Sequence, residues 1–203
     1  MNSVVDRMAP RATTMIRMDH THVLALFHRF KPDTAPGKKR ALVANACLAL
    51  EVHAQLEEEF FYPALRALIS GDPVLDKSEP EHDEMRGLIT ELRSQLATDG
   101  PTDPTTFDDK FMDLMRIVIH HVADEETRLL PAAERLMPDR LGELGVQMAK
   151  RRVELLKPHA GELAISTARS FPSAAAAGVL LTAGAVAVGA MLLSRGRERV
   201  RHR

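Results

Sequence analysis

The chain has no tryptophan, one tyrosine, seven phenylalanines and one cysteine. Scarce aromatics remove the residues that strands and base-stacking surfaces depend on. A core rich in Ala, Leu and Met suits helices, where unbranched side chains keep their rotamer freedom. The lone cysteine, Cys47, excludes an internal disulfide; its place in an apolar helical run reads as a buried inert thiol, in keeping with a reducing compartment. Net charge is also nearly absent, 27 Lys and Arg against 28 Asp and Glu. The charges are mixed through residues 1–165, with no basic stripe and no cations interleaved with aromatics, which excludes a nucleic-acid face there. Met1 to Thr14 lack the apolar stretch of a secretory signal.

Charge disappears altogether from Ser173 to Ser194, 22 positions in a row. That is long enough to cross a bilayer core of about 30 Å as a helix. Arg195, Arg197, Arg199, Arg201 and Arg203 follow it. The expectation is a transmembrane tail anchor and a membrane-associated protein, with the folded part in the cytoplasm. The arginines also argue for a cytoplasmic C-terminus, which a single span cannot share with a cytoplasmic domain. A basic tail lying on anionic headgroups resolves the conflict, and a soluble cytoplasmic protein is the alternative.

What the chain does have is one pattern written twice. His53-Ala-Gln-Leu-Glu57-Glu58 leads to Pro63, and His121-Val-Ala-Asp-Glu125-Glu126 leads to Pro131. Residues four apart share a helix face, so each His and its first Glu can hold one ion together. An acid-His pair precedes each copy, Asp19-His20 and Glu81-His82. The chain thus reads as two helical hairpins of one design. They bring His20, His53, Glu57, His82, His121 and Glu125 to a common centre.

Apolar spacing places the helices. The first runs from about Thr14 to Phe30, with His20 inward and His28 as the only other inward candidate among its histidines. The second spans about Lys38 to Ile69, with a bend or ragged turn at Pro63, where the Glu59 carbonyl loses its partner. The third starts near Ser78, read as a cap ahead of Pro80. The fourth runs from Pro104 to Met137, and an amphipathic fifth from about Leu141 to Leu156. The expected organisation is an all-α four-helix bundle over 14–137, an amphipathic helix and linker over 138–172, the apolar helix 173–194 and a basic tail 195–203.

A single His on an apolar stripe is usually a hydrogen-bonded core residue. Four with two glutamates are costly to bury without partners, and the repetition makes coincidence a poor account. Imidazole with carboxylate suits Fe, Mn, Zn or Co. Two glutamates from opposed hairpins can each bridge two ions, which favours a dinuclear iron site over a mononuclear one. Glu58 and Glu126 are candidates for outer hydrogen-bond acceptors, although a solvated flank is the plainer reading of one of them. Tyr62 has two readings, facing the site or, the commoner case for a tyrosine beside a proline at a helix end, packing with its hydroxyl near solvent.

These motifs resemble the hemerythrin-like (HHE cation-binding) domain family over residues 14 to 137. The resemblance implies an up-down-up-down bundle with two non-haem irons, carboxylate- and oxo-bridged, and assigns ligand roles to His20, His53, Glu57, His82, His121 and Glu125. Two departures from the oxygen-carrying members stand out. Arg86 occupies the place of a second third-helix His, and Glu125 replaces an Asp at another spacing. The missing imidazole opens a coordination position, which points away from oxygen storage. It favours reaction with a small ligand, hydrogen peroxide, O2 or NO, as in catalase-like detoxification under oxidative stress. A non-enzymatic iron or oxygen sensor is the second expectation, and a structural membrane-tethered bundle the third. Arg86 reads equally as a clamp on a Glu or anion and as a solvated arginine.

Overall fold

The computed structural model describes residues 9–98 and 104–161, and among them every regular element is a helix. Seven α-helices occur: α1 (Ala12–Arg29), α2 (Pro36–Leu56), α3 (Tyr62–Arg66), α4 (Pro73–Ala97), α5 (Pro104–Asp124), α6 (Leu130–Leu136) and α7 (Leu141–Leu156). They make five rods, because α2 continues into α3 and α5 into α6 through single π-helical turns, Glu57–Phe61 and Glu125–Leu129. The bend or ragged turn expected at Pro63 is therefore a wide, ordered turn, and Pro131 follows a second one that was not anticipated. A proline supplies no N–H and crowds the carbonyl four residues back. The chain responds by closing on the residue before it. Tyr62 N–H donates to the Glu57 carbonyl and Leu130 N–H to the Glu125 carbonyl.

The third rod starts earlier than its sequence suggests. Asp72, not Ser78, is its cap; the Asp72 carboxylate accepts from the N–H groups of Val74 (2.9 Å) and Leu75 (3.2 Å), and Pro73 fills the first helical position. Ser78 is buried one and a half turns in, where its hydroxyl donates to the Val74 carbonyl at 2.9 Å, and Pro80 lies inside the helix. Gly71 makes the reversal just before, at φ 77°, a conformation only glycine adopts without strain.

Two apolar clusters fill the bundle. Ile16, Leu56, Phe61, Leu75 and Leu129 belong to one, and Val23, Leu50, Met85, Phe111 and Val118 to the other. The polar residues 20, 53, 82 and 121 fall between these clusters along their helices, so the site is a seam across an otherwise apolar core.

The expectation of a membrane-associated protein with a transmembrane helix is corrected. Among the described residues no helix is long and apolar enough to cross a membrane. Even α2, buried nearly all round from Ala41 to Leu56, carries three basic residues, Lys38, Lys39 and Arg40, in its first turns. Residues 173–194, on which that expectation rested, lie outside the described residues.

Candidate metal centre

Six side chains from four rods meet at the seam, and all are buried: His20 3%, His53 5%, Glu57 0%, His82 1%, His121 2% and Glu125 0% exposed. Helical spacing makes each pair meet, His53 Nε2 lying 3.2 Å from Glu57 Oε2 and His121 Nε2 lying 3.6 Å from Glu125 Oε2. Each glutamate also reaches an imidazole of another rod. Glu57 Oε2 is 3.5 Å from His82 Nε2, and Glu125 Oε2 is 3.1 Å from His20 Nε2. The donor atoms fall into two sets, His20, His53, Glu57 and Glu125, and then Glu57, His82 and His121, each set within 4.8 Å of itself. Glu57 is common to both.

A carboxylate faces the outer side of each imidazole, hydrogen-bonded to three of them and in 3.5 Å contact with His53, and the four pairs form a closed ring. Asp19 of α1 faces His53 of α2 (Nδ1 to Oδ2, 3.5 Å). Glu58, in the turn after α2, accepts from His82 Nδ1 of α4 at 2.8 Å. Glu81 of α4 accepts from His121 Nδ1 of α5 at 2.9 Å. Glu126, in the turn after α5, accepts from His20 Nδ1 of α1 at 2.8 Å. A carboxylate at Nδ1 favours the proton there and turns Nε2 inward as the atom to meet a cation; at His20, Nε2 meets Glu125 instead, at 3.1 Å. The acid before each first-hairpin and second-hairpin His therefore serves the histidine of the following rod, and both second glutamates act as outer acceptors. Arg86 sits outside the ring, donating to Glu58 Oε1 at 2.8 Å, and His28 is exposed.

Tyr62 faces the site, the less common of its two sequence readings. Its hydroxyl is fully buried, 3.0 Å from Glu57 Oε2, 2.9 Å from Glu125 Oε1 and 3.4 Å from His82 Nε2. At 100° per residue it would sit about 140° round from Glu57 on an α-helix; the π turn between them brings it back to the same side. Such turns gather at functional sites, and the Glu-to-Pro spacing of both motifs was the available signal.

The protonation pattern follows from crowding. Burial and then the neighbouring Glu125 charge push Glu57 well above the usual carboxylate range. Glu125 is also penalised by burial, but the hydrogen bond from His20 and the charges of His121 and His53 hold it below that range. Burial lowers His53 to about 4 and, against the pull of Glu58, lowers His82. His20 is desolvated too, yet its bonds to Glu125 and Glu126 raise it. Burial and crowding thus favour the protonated form at Glu57 and the ionised form at Glu125.

The residues fit a metal. Both ring nitrogens of His53 and Oε1 of Glu57 are buried without a hydrogen-bond partner, the close contacts of His53 lacking suitable angles. Buried polar atoms left so are costly. His82 Nε2 and His121 Nε2 are 3.1 Å apart. Two nitrogens about 2.1 Å from one ion and at right angles to each other would be about 3 Å apart. Beside the imidazoles lies a small cavity walled by Val23, Leu50, Ala54, Met85, Val118 and Val122. The centre therefore has an apolar chamber on its histidine side and Tyr62 on its carboxylate side.

Comparison with known proteins agrees with this geometry. A model of the hemerythrin HHE cation binding domain matches residues 11–133, more than half of the chain. The crystal structure of a hemerythrin HHE cation binding domain-containing protein from Mycobacterium kansasii superimposes with a TM-score of 0.60 at 20% identity, over 79% of this chain and 99% of that one. A curated protein of Nostoc sp. described as a DNA nickase is 30% identical over 127 residues. The aligned part is 63% of this chain, which spans about a third (34%) of that relative's length.

Proposed function

The chain belongs to the hemerythrin HHE cation-binding domain family, and from that premise we propose that it holds two non-haem irons and reacts with a small oxidant, hydrogen peroxide, O2 or NO. The observation that carries the reading is the double membership of Glu57, whose carboxylate belongs to both donor sets. His20, His53 and Glu125 would hold one ion and His82 and His121 the other, with Glu57 available to both. Short connections between α1 and α2 and between α3 and α4 are those of antiparallel neighbours, which supports the up-down-up-down order. Two irons, when bound, would supply electrons to a small oxidant; the protein's part would be to fix and shield them. Hydrogen bonds to the acid ring fix the orientation of the His20, His82 and His121 imidazoles, and Asp19 stands behind that of His53. The apolar walls Val23, Leu50, Met85 and Val118 border a space beside the imidazoles no larger than about one water-sized ligand. Tyr62 holds the two carboxylates at a fixed separation.

Arg86, where oxygen carriers have an imidazole, donates to Glu58 and Asp83. Its guanidinium cannot ligate, which leaves one ion a ligand short and favours reaction over reversible storage. DNA nicking is named for a relative of which this chain spans a third. The buried donor atoms described above could not reach a duplex, so that activity is not carried over. The test is to load the protein with Fe2+, measure iron per chain, and follow the optical spectrum and peroxide concentration together. Two irons per chain with peroxide consumed supports the reading. Stoichiometric iron without turnover would turn it toward a sensor, and no stoichiometric metal would end it.

A further inference from the structure

The ring of outer carboxylates is anchored in turn by a ring of cations. Arg17 Nε donates to Glu126 at 3.0 Å, Arg86 Nη1 to Glu58 at 2.8 Å, and Lys77 lies 2.9 Å from Glu81. These three come from the rods that carry the ligand histidines. The fourth does not. Asp19, which backs His53, is gripped by both Nη atoms of Arg152 on α7, one at 2.9 Å from Oδ1 and the other on Oδ2. Helix α7 lies wholly beyond the residues 11–133 that match the family model.

The docking of α7 is built to bring this arginine in. Arg152 is 9% exposed, a rare depth for a guanidinium that has no purpose there. Arg151 beside it makes only a solvent-exposed pair with Glu59 of the first π turn, at 2.9 and 3.0 Å, and takes no part in gripping Asp19. Nearly two turns before Arg152, Gly145 lets the helix touch the start of α1; a Cβ there would come within 2.0 Å of the Pro10 carbonyl. A buried ion pair adds little net stability by itself, but a bidentate one fixes direction. What it fixes is the Asp19 carboxylate behind His53, a histidine that belongs to only one donor set.

We propose that α7 is a working part of that one set: Arg152 is a positioning residue that holds Asp19 against His53, so the ion of His20, His53, Glu57 and Glu125 depends on a docked α7 and the ion of His82 and His121 does not. By linkage, filling the first set must in turn hold α7 down. The two ions thus differ in what they report, and α7 is the element that feels the first of them. This inference rests on the two-metal reading above.

The test is an anaerobic Fe2+ titration of metal-free protein, with bound iron measured by equilibrium dialysis and hydrogen exchange of the α7 amides followed with and without iron. Wild type should take up two equivalents and protect α7. Arg152→Ala should keep one equivalent at wild-type affinity and bind the other about 10–100-fold more weakly, with the iron-dependent protection of α7 gone. Arg152→Lys, a charge without the fork, should fall between. Arg151→Ala removes an exposed pair that does not touch Asp19 and should resemble wild type. Unchanged affinities in Arg152→Ala overturn the inference, as does equal weakening of both equivalents or the same defect in Arg151→Ala. If Arg152→Ala does not fold, the wild-type exchange decides: α7 amides indifferent to iron refute the coupling. Wild type that binds no iron refutes the two-metal reading itself, a result distinct from all of these.

Discussion

Tyr62 donates its hydroxyl proton to a carboxylate only five residues behind it, Glu57, at 3.0 Å. The same hydroxyl lies 2.9 Å from Glu125 on the opposite hairpin. One phenol therefore ties together the two acids expected to span the ions, and it reaches them because the intervening turn is π-helical.

Tyr62→Phe removes that tie and leaves the packing. In the metal-free protein two buried carboxyls lose their shared donor, which should cost about 1–3 kcal/mol of stability. With iron present the cations take over the neutralising role, so the loss should shrink. Urea unfolding of both proteins, with chelator and with Fe2+, checks the difference; an equal loss in both conditions would contradict it.

The pH dependence of the metal-free protein should reveal Glu57. Its folded-state pKa is raised above the ordinary 4.5 by burial and by Glu125. Its contribution to stability is thus fully present below 4.5 and is lost as pH rises toward the raised value. His53, lowered from 6.5 to about 4, works in the opposite sense. Its contribution is present above 6.5 and lost as pH falls to about 4, of order 3 kcal/mol for the full span. Glu57→Gln abolishes the first effect and keeps the second. The stability of Glu57→Gln relative to wild type should therefore climb as pH rises above 4.5, measured by urea unfolding in chelator. A flat difference would show that Glu57 ionises normally.

Gly145→Ala should be disruptive out of proportion to one methyl group. The new Cβ would meet the Pro10 carbonyl at 2.0 Å, and backbone cannot swing aside as a side chain does. A loss of about 1–3 kcal/mol is expected from such overpacking. Thermal unfolding checks it, and Gly142→Ala, whose Cβ meets nothing within 4 Å, should be neutral or stabilising.

Much of this site was written in the sequence because it repeats with helical period. His53 with Glu57 and His121 with Glu125 sit four apart, and that spacing alone put them on one face; all six expected ligands meet in the bundle. The outer ring was half visible. Glu58 and Glu126 could be named as acceptors, but not that Asp19 serves His53 rather than its own neighbour, since that depends on how rods pack. Tyr62 was hidden by the arithmetic of an ordinary helix, which turns it away from Glu57 until the proline widens the turn. Ser78 was misread because Ser-x-Pro mimics a cap, while Asp72 with Pro73 made a better one. Arg152 had no local signal at all: its partner is 133 positions away, and nothing periodic links them.

The most direct test of the shared-carboxylate centre is the number of Fe2+ ions bound per chain by Glu57→Gln beside His121→Gln and wild type. Glu57 serves both sets and His121 one, so two ions in wild type should become one in His121→Gln and none held tightly in Glu57→Gln. Glu57→Gln that keeps one ion as firmly as His121→Gln does, or wild type that never binds more than one, would contradict the account.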